Sequence, residues 1–308
     1  MTNLSDPIFH DEHKARVHLE NVRWPDGRYC PHCGEAEKTS PVKGKSHRPG
    51  LYYCVSCKKQ FTVTVGTLFE RSKVPLHKWV MAFHLMASSK KGISAHQLHR
   101  MLGVTYKTAW FMAHRIREAM RDFKPEPMGG QNKVVEADET YVGGKAKNRA
   151  HRKEPPKKEA VFSLVERDGT VRSFHVPDVS GNTLRPILVS HVDRKSYLMT
   201  DEAAVYLAPG NEFAGHGTVN HSIDEYMRGN FWHTNTMENY FSIMKRGING
   251  VYHHVSQKHL RRYLGEFDFR YNERAGLGVN DSERMDKALA GITGKRLTYR
   301  RTGEGAEA

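Results

Sequence analysis

The stretch Val134-Val135-Glu136-Ala137-Asp138-Glu139-Thr140-Tyr141 decides the fold of this chain. A short apolar run leads into a lone carboxylate, the pattern of a buried strand that delivers an acid near its end. Further on, residues 160–165 form a second apolar run, closed by the turn Arg167-Asp168-Gly169, and residues 170–176 alternate as a third. Three strands joined by short turns predict an antiparallel meander. Residues 182–191 then carry a helical pattern, and residues 196–200 predict a fourth strand that ends at Asp201.

Three strands, a helix, a strand and a further helix is the order of a ribonuclease H-like mixed sheet, so the fold class expected is α/β. The first and fourth strands are neighbours in such a sheet, which would bring Asp138 and Asp201 together across 62 intervening residues. Neighbouring residues on a strand point to opposite faces, so only one of Asp138 and Glu139 should enter a shared site. A third contribution lies in Asn235-Thr-Met-Glu238-Asn-Tyr-Phe-Ser-Ile-Met-Lys245. On a helix, Asn235 and Glu238 share a face, and Lys245 lies two turns beyond Glu238. Acids from separated segments offer hard oxygen ligands to Mg²⁺. Paired metal ions can stabilise the attacking and leaving oxygens of an in-line displacement. Asp138, Asp201 and Glu238 are the candidate magnesium ligands, with Asn235 as the alternative third ligand. Lys245 and Arg246 are candidate phosphate contacts.

Composition agrees with a polyanionic substrate. The chain of 308 residues carries 48 Lys and Arg against 34 Asp and Glu, a net charge of +14. Dispersed cations bind phosphate backbones through counterion release. The apolar runs are too short for a membrane span, and the N-terminus lacks a basic-then-apolar leader, so a cytoplasmic location is expected. Seven Lys or Arg lie between Gly143 and Glu159 and read as a basic loop beside the first core strand.

All four cysteines fall between positions 30 and 57, as Cys30-Pro-His-Cys33-Gly and Cys54-Val-Ser-Cys57-Lys, with 20 residues between Cys33 and Cys54. Two such pairs read as a zinc ribbon with four thiolate ligands, a closed structural site. His32 is read as a bystander, and the Tyr52-Tyr53 and Phe61-Thr-Val-Thr-Val65 segments as short strands.

Residues 75–120 read as helices. Leu76, Trp79, Val80, Phe83 and Met86 share one helical face. Ser94 and Thr105 are candidate N-caps either side of the Gly103 turn. Two helices joined by a short turn match a helix-turn-helix. The second helix would present Tyr106, Lys107, Thr108, His114 and Arg115 to DNA. In the last helical stretch, Leu260, Tyr263, Leu264, Phe267 and Tyr271 read as core, with Lys258, Arg261, Arg262 and Arg270 outward. The expected organisation is a zinc ribbon with an N-terminal extension (1–70), a helix-turn-helix (71–122), a linker (123–132), the catalytic core (133–285) and a C-terminal tail (286–308).

Several motifs in order carry a resemblance. They are Tyr29-Cys-Pro-His-Cys-Gly34, Val65-Gly-Thr-Leu-Phe69, Ala137-Asp-Glu-Thr-Tyr-Val-Gly-Gly144, Thr200-Asp-Glu202 and His233-Thr-Asn-Thr-Met-Glu238. Lys245-Arg-Gly247, Tyr252-His-His-Val-Ser256, His259-Leu260 and Glu266-Phe-Asp-Phe-Arg-Tyr-Asn272 continue the series. The chain resembles bacterial insertion-sequence transposases of the DDE superfamily, in the group with an N-terminal zinc ribbon. The resemblance covers most of the chain. It implies Mg²⁺ or Mn²⁺ dependence, action on the terminal inverted repeats of a mobile element and on target DNA, and a dimer or larger assembly on DNA. Members of this group use Asn as well as Glu as the third ligand. Glu238 is favoured because a carboxylate is the stronger Mg²⁺ ligand, and its step to Lys245 matches the superfamily spacing. A domesticated DNA-binding descendant and a nuclease on the same fold are the alternative functions.

Overall fold

The computed structural model describes residues 3–44, 46–123, 125–143, 158–219 and 233–298. Most of the basic stretch after Gly143 (144–157) and the acidic tail 302–308 lie outside the described residues. The chain divides into two compact units, one of residues 1–89, 93–121 and 279–308, the other of residues 90–92 and 122–278.

The first unit opens with α1 (Glu12–Arg23), within what the sequence pattern marks only as an extension; Asp11 caps it by accepting the Lys14 N–H at 2.7 Å. A three-stranded antiparallel sheet comes next, in the order β1 (Thr39–Pro41), β2 (Tyr52–Cys54), β3 (Lys59–Phe61). Trp24 packs edge-on against Tyr52 and Phe61, at 6.0 and 6.2 Å between ring centroids. The alternation after Phe61 does not prolong β3. The Val65 and Thr67 N–H groups fold back onto the Thr62 and Thr64 carbonyls, so the segment turns.

Beyond the ribbon lie α2 (Leu76–Ser88), α3 (Ala95–Leu102) and α4 (Tyr106–Met120). Their ends obey the expected local chemistry. The Ser94 hydroxyl accepts the Gln97 N–H, the Thr105 hydroxyl accepts the Thr108 N–H, and Gly103 ends α3 at φ 59°. A left-handed C-terminal residue carries little cost for glycine.

The second unit is built on a five-stranded mixed sheet of order β6-β5-β4-β7-β8. The strands are β4 (Val134–Gly143), β5 (Lys158–Glu166), β6 (Val171–Val176), β7 (Tyr197–Asp201) and β8 (Gly215–Val219). The first three pair antiparallel as a meander, and β4 pairs parallel with β7. The expected adjacency of first and fourth strands therefore holds; β8, parallel to β7, is an addition. Between β6 and β7 runs α5 (Gly181–His191), and after β7 a short turn of helix, α6 (Leu207–Gly210). Then come α7 (Asn235–Gly247) and α8 (Gln257–Asn272), separated by a π-helical turn at Ile248–Tyr252.

Each face of this sheet has its own apolar core. One holds Val135, Ala137, Phe162, Leu164 and Leu198 against Leu184 and Leu188 of α5. The other holds Val142, Val161 and Val165 against Met237, Tyr240 and Met244 of α7 and Leu260, Leu264 and Phe267 of α8. A sheet covered on both sides explains the continuous apolar run of β5. Met128, in the stretch expected to be a linker, is buried in the α5-side core.

The chain returns to the first unit at α9 (Asp281–Ala290), which buries Met285, Ala288 and Leu289. The expected boundary at 285 cuts this helix, and Ile292 beyond it is also fully buried. Among the described residues, no helix is long and apolar enough to cross a membrane.

Candidate active site and metal centre

The register of β4 and β7 sorts the acids by face. Val135 pairs with Leu198 on the α5 side, and Glu136 pairs with Met199 on the α7 side. Side chains alternate along a strand, so Asp138 and Asp201 share the α7 side with Glu136 and Met199. Glu139 takes the other face, where the buried Tyr206 hydroxyl donates to it.

Asp138 feels its burial and its acidic neighbours. Burial pushes the Asp138 carboxyl up to about 7, the Glu139 N–H opposes this at 2.7 Å, and the charges of Glu139 and Asp201 add to the rise. Lys245 acts in the opposite direction. Burial also raises Glu139, against the Tyr206 hydrogen bond. Asp201 is oriented by the Ala203 N–H, 3.0 Å from its carboxylate. Asn235 and Glu238 are both exposed in the first turn of α7, and Lys245 and Arg246 are exposed in its last turn. Among the described residues, no group of three or more carboxylates or histidines comes within 4.8 Å as a ligand set. The structure thus sets Asp138 and Asp201 on one sheet face and brings the charges of Asp201 and Lys245 close enough to act on Asp138. It leaves Asn235 and Glu238 outside a closed ligand group.

Sequence reasoning misses the residue that ties α7 to the sheet. Glu136 is fully buried two positions before Asp138 and on the same face. Its carboxylate accepts from Arg167 Nε at 2.7 Å and from the Met237 N–H at 2.8 Å, with His233 Nδ1 at 3.4 Å. Arg167 also donates to the His233 carbonyl at 2.6 Å. A buried carboxylate is thereby satisfied by a cation and by an amide at the start of a helix, where the backbone dipole favours negative charge. Replacing it by a neutral residue removes the anion that Arg167 is paired with. Glu136→Gln should therefore cost about 3 kcal/mol of stability, the scale for breaking a buried pair. Urea denaturation would measure it, and an unchanged midpoint would remove Glu136 as the anchor of α7.

The four cysteines converge. All four Sγ atoms lie within 4.8 Å of one another, with Cys30 to Cys57 at 3.6 Å and Cys33 to Cys54 at 3.7 Å. Sulfurs at ~2.3 Å from a tetrahedral zinc ion stand about 3.8 Å apart, so the quartet has the right size. After each pair comes a residue with positive φ, Gly34 at 81° and Lys58 at 55°. The turn geometry thus repeats even where the second knuckle has no glycine. The thiols do not ionise independently. The Cys57 N–H helps lower Cys54 to about 7, whereas Cys33, despite the Glu35 N–H, is pushed up to about 12 by burial and the other three sulfurs. Such crowding fits a bound cation, and a four-thiolate set supports structural zinc.

Several outward assignments change. His114 is buried against Trp110, at 4.2 Å between ring centroids. Arg115 is partly buried, donates to the Leu68 and Leu297 carbonyls, and lies over the Phe111 ring. Arg270 is buried and ion-paired with Glu266. Tyr106 and Lys107 are exposed as expected, and Tyr106 stacks on His96 at 4.2 Å. Thr108 is half-buried and engages Thr105.

Comparison with known proteins accords with this architecture. Residues 129–272 match the family described as the ISXO2-like transposase domain, and residues 10–60 match the transposase zinc-ribbon domain. The chain is also 30% identical over 282 residues to an uncharacterized protein in transposable element ISH50 of Halobacterium salinarum, covering 85% of this chain and 91% of that protein. The chain belongs to the ISXO2-like transposases, DNA-cutting enzymes of the DDE class with an N-terminal zinc ribbon.

Proposed function

We propose that this protein binds the terminal inverted repeats of an insertion sequence and cuts and joins DNA strands there with Asp138 and Asp201 as magnesium ligands. The observation that carries the reading is the parallel register of β4 and β7, which puts both aspartates on the α7 side, with the Asp138 carboxyl raised to about 7. Two hard carboxylates that repel one another suit a divalent cation. When bound, a magnesium pair supplies an activated water or hydroxyl nucleophile and neutralises charge on the phosphate. Asp138 and Asp201 hold that charge in place from two adjacent strands. Lys245, exposed near them, attracts the scissile phosphate as a point charge. Glu136 fixes the start of α7 and so the approach of the third ligand from its first turn.

The third ligand is assigned to Glu238, with Asn235 as its rival on the same turn. DNA is held by the exposed Tyr106 and Lys107 and the half-buried Thr108 of a helix-turn-helix formed by α3 and α4, and by Lys245 and Arg246. By the resemblance to insertion-sequence transposases, a dimer or larger assembly would hold the two element ends.

The test is strand cleavage and joining with Mg²⁺ on DNA carrying the ends of the encoding element. Glu238→Gln should lower the rate about a hundredfold or more, whereas Asn235→Ala should lower it less than tenfold, on the scale of a lost ligand against a lost neighbour. The reverse order would transfer the role to Asn235. End-specific binding by wild type without cleavage would replace this reading with a DNA-binding descendant. Hydrolysis without joined product would point to a nuclease.

A further inference from the structure

We propose a phosphodiester-binding site in the first unit, formed by Arg115, Arg296 and Arg71 and filled by the backbone of duplex DNA. It rests on the reading of the chain as a DNA-cutting transposase. The three arginines line a cavity of about 220 Å³ together with Thr298 and a single carboxylate, Glu70. Three guanidinium groups against one carboxylate leave the lining with two uncompensated positive charges.

Backbone contacts set Arg115 and the segment that carries Arg296. Arg115 is aimed by the Leu68 carbonyl at 2.6 Å, the Leu297 carbonyl at 3.2 Å and the Phe111 ring at 4.6 Å. Arg296 arrives on the segment after α9, which is fastened along residues 66–68. The Leu68 N–H donates to the Ile292 carbonyl and the Gly294 N–H to the Gly66 carbonyl. The neighbouring Lys295 ammonium lies on the Glu118, Ala119 and Arg121 carbonyls at 3.0, 2.9 and 2.6 Å. A cation at a helix C-terminus is favourable, so this contact holds Arg296 opposite Arg115. Glu70 accepts the Gly66 N–H at 3.0 Å and makes a long ion pair with the exposed Arg71 at 4.0 Å, which leaves Arg115 and Arg296 as the two uncompensated cations. Burial and the Arg296 charge both weaken the hold of Arg115 on its proton.

Two guanidinium groups that repel one another across a cavity are an unfavourable arrangement for the protein alone. An anion with several oxygens relieves it, because the planar guanidinium fork matches phosphate oxygens. Duplex DNA is favoured over a free anion by charge, because a phosphate backbone rewards fixed cations through counterion release and is the polyanion that the parent reading supplies. Arg115 lies nine residues along α4 from the exposed Tyr106, about 14 Å by helical rise and half a turn out of phase, so the site stands on the other side of that helix. The C-terminal segment would thus grip a stretch of backbone separate from the one that Tyr106 faces.

The experiment measures the affinity of the full chain for a mixed-sequence duplex against salt concentration. It compares wild type, Arg296→Glu and Arg296→Lys, with thermal melting of each. Arg296→Glu should weaken binding about tenfold or more and reduce the slope of log K against log salt by about 1, the signature of one lost phosphate contact. Melting should be unchanged, and Arg296→Lys should keep the slope. Wild-type affinity and slope in Arg296→Glu, with wild type binding normally, would overturn the site alone. Failure of wild type to bind DNA at all would overturn the parent reading and this site with it.

Discussion

Asp138→Asn should abolish strand cleavage and joining while DNA affinity stays near that of wild type. Asparagine keeps the shape of the side chain and removes the anionic ligand. Charge stabilisation by a metal site amounts to several kcal/mol, so the rate should fall by about a thousandfold or more. The same substitution should raise the stability of the metal-free protein. The carboxyl of Asp138 is raised from 3.8 to about 7 by burial and by its acidic neighbours. A raised carboxyl binds its proton more tightly in the folded state. Folding stability is then lost as pH rises from about 4 through about 7, where the folded group is forced to ionise. Asparagine never ionises. Asp138→Asn should melt above wild type at pH 8 in chelator, and the gap should close as pH falls below about 4. Magnesium should reverse the order, since it stabilises only the form that binds it. Because ligands must lose their protons to bind a metal, wild-type metal affinity should also rise with pH up to about 7 and then level. A variant that cuts DNA at the wild-type rate, or melts below wild type at pH 8, would remove Asp138 from its place here.

Period and spacing make the framework of the second unit legible in the sequence. The strands at 134, 160 and 171 and the return at 197 can be read because apolar runs bounded by turn residues have little else to form. Their order implies the neighbouring placement of Asp138 and Asp201. The caps at Ser94 and Thr105 are legible because capping is local. Features that depend on partners far along the chain escape. Glu136 looks like an ordinary acid in a strand, and its pairing with Arg167 and Met237 emerges only when the sheet and α7 come together. Arg270 and Arg115 carry charges that a helical wheel sends outward. Arg270 is instead ion-paired with Glu266 one turn away, whereas two carbonyls turn Arg115 toward the cavity it lines with Arg296. The helix at 281–290 straddles the expected end of the core and start of the tail, although Asn280 and Glu283 form a capping box at its start. That local signal is present in the sequence. The placement of Glu238 cannot be had from spacing, because two candidate ligands three residues apart share a helical face.

Removal of zinc should unfold the ribbon and carry the largest stability loss of any change to this chain. The three strands of the ribbon sheet are three residues each. A sheet of that size buries too little apolar surface to offset its ordering entropy, and small units of this kind lean on metals. Binding of structural zinc by peptides of this type contributes about 10–16 kcal/mol at neutral pH, comparable to a typical domain's whole stability. Without the cation, four sulfurs within 4.8 Å repel as they ionise. Cys54→Ser, or a strong chelator, should therefore abolish protection of amides in residues 30–61. The aromatic contacts of Trp24 with Tyr52 and Phe61 should be lost in parallel, seen as a red shift of tryptophan emission. The sheet of the second unit draws its two cores from other residues, so its amides should stay protected. Hydrogen exchange read by mass spectrometry separates these regions in one experiment. DNA-end affinity should fall with the ribbon, by about a hundredfold if the ribbon supplies two or three phosphate contacts at physiological salt. Unchanged exchange across 30–61 after complete zinc removal would show that the ribbon holds itself without metal. Loss of protection throughout both units would show that the second unit depends on the first for its folding.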